Sequence, residues 1–242
     1  MNIDTIEMQQ VAATAQATPQ VPAPRVDMYA GIHKALRALM SDTLLALGRM
    51  DCDDTLELAD TTQRVLQLLD FCRSHLQHEN DFVHTAIEAR APGASARIAH
   101  DHEDHERHIA ELAAVTTALL GVPAQARAAR VQHLYRELAL FIAENFKHMH
   151  VEETAHNAVL WARYSDAELE AIHGALVASI PPEEMMFVLR WLVPFMNPAE
   201  RAEMLKDMRL HAPAAAFEGA LAVVRPHLTP REWEKLANAL SL

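Results

Sequence analysis

Little in this sequence suits a strand. Glycine appears 6 times and aromatic residues make up 5% of 242 residues. Ala, Leu, Glu and Arg dominate instead, which favours helices and argues against a large β-sandwich or a doubly wound sheet. Cysteine is nearly absent: Cys52 and Cys72 form no CxxC, and a chain this long needs no disulfide staple, so a reducing compartment is expected. No apolar run reaches membrane-spanning length, and the N-terminal stretch MNIDTIEMQQVAATAQATPQVPAPR lacks a basic segment followed by an apolar one. A soluble cytoplasmic protein with no membrane partner is the expectation. Basic residues are outnumbered, 21 against 33 acidic ones for a net charge of −12, which disfavours nucleic acid as a partner. What stands out against these absences is 15 histidines.

The chain divides into three parts. Residues 1–27 are rich in Ala, Gln, Thr and Pro and carry too few large apolar side chains to offset the entropy of ordering, so a disordered or loosely ordered tail is expected. Helical periodicity then runs from Met28 to Gly48, from Thr55 to Arg90, from Ala94 to Leu120 and from Ala124 to Tyr164, with breakers between. Four long amphipathic stretches joined by short links predict an all-α fold, an antiparallel four-helix bundle over 28–164. Residues 165–242 read as a C-terminal extension of shorter helices: Ser165 with Glu168, Asn197 before Pro198, and Thr229-Pro230 before Glu232 mark their starts. The apolar segment Met185 to Val193 is expected to form the core of this extension or, alternatively, an exposed face for a homodimer or protein partner.

The histidines fall into a pattern. His75 precedes Glu79 and His148 precedes Glu152 by four positions, an offset of roughly 40° on a helix, so each pair shares a face. Leu68, Cys72, Phe82 and Ala86 flank the first pair at core spacing, and Leu134, Phe141 and Val159 flank the second, so both pairs face inward. A buried neutral His beside a buried carboxylate is costly unless a cation compensates. The other two long helices add His33, in phase with Leu36 and Met40, and His102, His105 and His108, of which His105 and His108 project nearest the middle of the core face. Mixed imidazole and carboxylate donors suit iron, manganese or zinc, and two Glu able to bridge suggest a dinuclear site. His78, His84 and His150 project onto solvated faces. His156, one turn beyond Glu152, is either a supporting partner or an extra ligand, and Tyr29, one turn before His33, either packs or reaches the metals with its phenol.

The order His, HxxxE, His, HxxxE over four helices resembles the hemerythrin, or HHE cation-binding, family across about Met28 to Tyr164. The resemblance implies a four-helix bundle with two non-haem iron ions, manganese or zinc being alternatives, that binds a small diatomic or peroxide ligand. It carries the metal-ligand role onto His33, His75, Glu79, His105, His148 and Glu152, with both Glu bridging. The fifth histidine is His102 by first choice, with His108 and His156 as alternatives, because the third helix lacks the HxxxH of the oxygen carriers. Glu153 would match the carriers' wider spacing from His148, but the internal repeat favours Glu152. The cysteine pair found near the N-terminus of the iron-centre repair proteins is missing. The expected function is to bind or sense dioxygen, nitric oxide or peroxide. A regulatory protein reporting through residues 165–242, or a di-iron oxidase or peroxidase, is the alternative.

Overall fold

A computed structural model describes residues 25–242; the expected tail therefore lies outside the described residues except for its last three. Those three belong to the fold. Arg25 donates to Asp166 and to the carbonyl oxygens of Trp161 and Tyr164, and the Val26 carbonyl accepts from the Trp161 indole. The Asp27 carboxylate accepts from the backbone N–H groups of Tyr29 and Ala30 and from Asn157, and so caps the first helix.

That helix, α1, spans Ala30–Arg49. The second rod starts where Asp54 accepts from the N–H groups of Leu56 and Glu57. It comprises α2 (Thr55–His78), a π-helical turn (Glu79–His84) and α3 (Thr85–Arg90). Gly93, at φ 83°, makes the turn out of it, and Glu88 holds the turn through the N–H groups of Gly93 and Ser95. The third rod, α4, spans Ala96–Ala118. The fourth comprises α5 (Ala124–Val151), a second π turn (Glu152–His156) and α6 (Asn157–Arg163). The four rods form the expected bundle, but the two that carry HxxxE are each interrupted by a π turn at the Glu, where continuous α-helix was expected.

Inward-facing Leu36, Leu39, Met40, Leu68, Leu69, Ile109, Leu112, Leu134, Leu138 and Phe141 fill the interior between the rods. Below this apolar core the packing turns polar, and a smaller apolar cluster of Met28, Tyr29, Val83, Ile87, Leu160 and Leu169 closes the end. The polar layer between the two clusters holds the His/Glu pairs.

The shorter helices are α7 (Asp166–Ser179), α8 (Pro182–Leu192), α9 (Pro198–His211), α10 (Ala214–Val224) and α11 (Pro230–Leu240). Ser165 and Thr229 each form the expected capping box with the Glu three residues on, and the Asn197 cap expected before Pro198 turns out to be a capping box with Glu200 as well. The apolar segment Met185 to Val193 is not an exposed face. In α8, Val188, Trp191 and Leu192 enter the main bundle core, while Leu189 and the following Val193 enter a cluster with Leu205, Phe217, Val224 and Leu236. Phe187 packs edge-on against Phe71, and Lys34 pairs with Glu200 at 2.6 Å. The boundary placed after Tyr164 in the sequence therefore does not separate two independent cores. Among the described residues no helix is long and apolar enough to cross a membrane.

Candidate metal centre

Four rods bring the two Glu and four His together in one layer. His33, 0% exposed, comes from α1; His75 and Glu79 from the second rod; His102 from α4; His148 and Glu152 from the fourth. The carboxylate oxygens divide their neighbours into two sets. Glu79 Oε1 lies 3.1 Å from His75 Nε2 and 3.6 Å from His33 Nε2, and Glu152 Oε2 lies 3.5 Å from the same His33 nitrogen. On the other side, Glu79 Oε2 lies 3.5 Å from His102 Nε2, and Glu152 Oε1 lies 3.2 Å from His148 Nε2 and 3.6 Å from His102 Nε2. Each carboxylate thus turns one oxygen to each side, and each side has two imidazoles.

These separations have a chemical meaning. Two donors bound about 2.1 Å from one ion at 90–109° lie about 3.0–3.4 Å apart, close to the spacing seen here. The four carboxylate oxygens and the Nε2 atoms of His33 and His75 are buried with no hydrogen-bond partner. Most buried side-chain polar atoms in native proteins are hydrogen-bonded; six unpartnered ones converging on one layer make a His/Glu cluster able to hold a metal ion.

Supporting contacts fix which nitrogen faces inward. His33 Nδ1 lies 3.0 Å from Glu153 Oε1, and Arg37 donates to both oxygens of Glu153. A carboxylate only accepts, so Nδ1 carries the proton and Nε2 keeps its lone pair for the centre. His102 Nδ1 is held likewise at 2.8 Å from the Asn80 side-chain oxygen. Glu153 therefore orients His33 from behind, and Glu152 is the carboxylate of the centre, in agreement with the internal repeat.

Two histidines depart from their expected places. His105 is buried but packs its ring on His148 and Phe141, with Nδ1 unpartnered, and no group of donors around the carboxylates includes it. With His108 it lines a polar groove on the outer side of His148. His105 follows His102 by three positions, so the two share a helix stripe, yet His105 sits one turn further along the rod. His102, the first choice for the fifth histidine, joins the layer, and His105, also expected as a ligand, does not. His84, expected on a solvated face, is 6% exposed; it stacks on His102 at 4.7 Å and meets His156 edge-on at 5.4 Å. The cause is the π turn. In an α-helix five residues end about 140° away from Glu79's face, whereas a turn closed by i→i+5 bonds returns His84 to it. His84, Glu152 and His156 form a further group of donors within 4.8 Å of one another. Tyr29, 1% exposed, places its hydroxyl 3.1 Å from His156 Nδ1. A layer of Tyr29, His84 and His156 thus adjoins the two carboxylates. His108, at 3.5 Å from Glu144, lies away from it.

Charge in this layer is finely set. Burial pushes the His33 imidazolium down, but the hydrogen bond to Glu153 and the nearby negative charges of Glu79 and Glu152 outweigh it and lift the group to about 9. Burial would raise Glu79, yet His75 and His33 hold it well below the usual carboxylate range; Glu152, which burial and the Glu79 charge would raise, is lowered by His102 and His148. Burial, with neighbouring imidazoles adding to it, lowers His84 and His105 to about 4. The sign of the linkage differs between the groups. His33 stabilises the metal-free fold fully below about 6.5, and that contribution, roughly 3 kcal/mol, is lost as pH rises towards 9. His84 and His105 stay neutral in the fold while the unfolded chain takes up protons, so they cost stability as pH falls below 6.5. Denaturation midpoints of metal-free protein across pH 4–10 are expected to peak near 6.5, and His33→Ala is expected to flatten the alkaline limb. An alkaline limb unchanged in the variant would contradict this account.

The fold and the donor set define the class: a four-helix bundle built to hold cations between histidines and bridging-competent carboxylates. Residues 25–156 match the family model of the hemerythrin HHE cation binding domain, more than half of the chain. The protein belongs to that family. A comparison with curated proteins finds no match to the chain.

Proposed function

We propose that the chain holds two non-haem iron ions and binds or senses a small oxidant such as dioxygen, nitric oxide or peroxide. The observation that carries this reading is the division of each carboxylate between two pairs of imidazoles. One position would use His33, His75 and Glu79 Oε1, with Glu152 Oε2 beside His33; the other would use His102, His148, Glu79 Oε2 and Glu152 Oε1. Three or four protein donors per ion leave room for an exogenous ligand on a six-coordinate metal, and when bound an iron pair would supply Lewis acidity and up to two electrons. The chain's own residues do the rest. Glu153 and Asn80 hold the His33 and His102 rings in the ligating tautomer. Val83, Ile87 and Leu160 exclude bulk water from one end. Burial, reinforced by Glu79 and Glu152, keeps the Tyr29 phenol protonated far above neutral pH, so it remains a donor beside His156.

The test is metal analysis of protein from iron-supplemented cells, with absorption spectra in the presence and absence of oxygen. Two irons per chain and an oxygen-dependent near-ultraviolet charge-transfer band are expected. His102→Ala is expected to lower the content to about one, and His105→Ala to leave it at two. Wild-type protein without bound metal, or His105→Ala and His102→Ala behaving alike, would overturn the assignment.

A further inference from the structure

Between the bundle and the C-terminal helices the packing leaves a cavity of about 500 Å³, within the range that takes drug-sized molecules. The bundle side contributes Phe71, His75 and Glu79; the facing side contributes Met185, Val188, Met204 and Met208 from α8 and α9. Buried Glu79 marks the inner end, and the exposed Asp207 and His211 mark the mouth. The family's matched segment stops at residue 156, so the cavity exists only because this chain adds α7 to α9.

The lining selects a ligand class. Methionine and branched aliphatic side chains dominate it, and methionine's unbranched, polarisable chain adapts to flexible aliphatic shapes. None of the lining residues is Lys or Arg; four carboxylates, among them Glu184 and Asp207, and four histidines are its ionisable groups. In the metal-free protein a carboxylate or phosphate head would find no Lys or Arg and would meet like charge, a costly burial. We propose that this cavity binds an uncharged, mainly aliphatic small molecule, with one end against His75 and Glu79. Only the adjacency to cations rests on the metal reading above; the cavity itself is made by the packing of α1, α2, α7, α8 and α9.

The full chain, metal-free and cobalt(II)-loaded, is titrated with the neutral dye Nile red and then with 1-decanol or decanoate. One dye per chain is expected, displaced by 1-decanol, and in the metal-free protein decanoate is expected to be weaker by about tenfold or more because its charge would be buried unpaired. Met185→Trp and Met208→Trp, placed on different helices, are each expected to weaken dye binding by about tenfold or more through occupied volume, with circular dichroism unchanged. The visible absorption of the cobalt(II) protein is expected to shift when 1-decanol is added. Equal displacement by decanoate and decanol in the metal-free protein, or full dye binding in both variants, overturns the proposal. A shift-free cobalt spectrum overturns the placement against His75 and Glu79. Failure to take up cobalt defeats the metal reading alone, since the dye arms still decide the cavity.

Discussion

Loading the full chain with iron(II) is expected to raise its thermal midpoint by roughly 8–16 °C, and Glu152→Gln is expected to abolish most of that rise. Without cations, two carboxylates whose donor atoms lie within 4.8 Å of the same imidazoles share one buried layer, and Glu79 and Glu152 oppose each other's ionisation. Buried charges of one sign destabilise a fold unless they are compensated. A cation that binds only the folded chain at a thousandfold excess over its dissociation constant adds about 4 kcal/mol; for a domain of this size each kcal/mol moves the midpoint by about 2–4 °C. Glu152→Gln keeps the side-chain shape but removes one charge and one bridging anion, so the metal-free midpoint is expected to move little while the metal-dependent part disappears. Scanning calorimetry of both proteins, with and without iron under anaerobic conditions, measures this directly. A variant that retains the full rise would show that Glu152 does not hold a metal.

Ending the chain after Tyr164 is expected to abolish cooperative folding, although the fragment contains all four rods. The removed residues include Val188, Trp191 and Leu192, which are buried in the same cluster as Leu36, Leu68 and Phe71. At about 1.5–3 kcal/mol for each buried large apolar side chain, their loss amounts to roughly 5–9 kcal/mol, comparable with the whole stability of a typical domain. The fragment also loses the Lys34–Glu200 and Arg90–Glu168 pairs, though these are partly exposed and matter less. Near-ultraviolet circular dichroism and dye binding by exposed apolar surface would report the loss. Trp191→Ala in the full chain is the milder version, expected to cost about 3–5 kcal/mol by denaturant titration. A truncated protein that unfolds with a sharp transition and binds metal like the full chain would instead make residues 165–242 an appended module.

The bundle, its rods and the three capped helix starts were legible because each rests on local rules: apolar spacing near 3.6, side-chain oxygens at helix starts, and Pro or Gly at the breaks. His33, His75, Glu79, His148 and Glu152 were legible for the same reason, since the spacing of four holds both members of a pair on one face. His84 was not, because its place depends on an i→i+5 turn that no residue spacing announces; the hint was only that His84 and His156 stand at nearly equal distances beyond the two Glu. That His105 stands outside the layer depended on depth along the rod rather than on phase. Helical projection gives the direction of a side chain but not which turn meets the neighbouring helices. The burial of α8 on two sides was hidden too, since its apolar residues fit an exposed interface and a shared core equally well.

The two π turns bear on how this chain can change over generations. A rod locked at both ends, by Leu68 and Leu69 before the turn and by Ile87 after it, would ordinarily be ruined by a one-codon insertion, which swings everything downstream by about 100°. A π turn absorbs the added residue in place, leaving both locked ends on their old faces. The residue that tops the cluster can then be exchanged, gained or lost while the scaffold around it stays put, so the chemistry of the layer and the architecture of the bundle are free to diverge at separate rates.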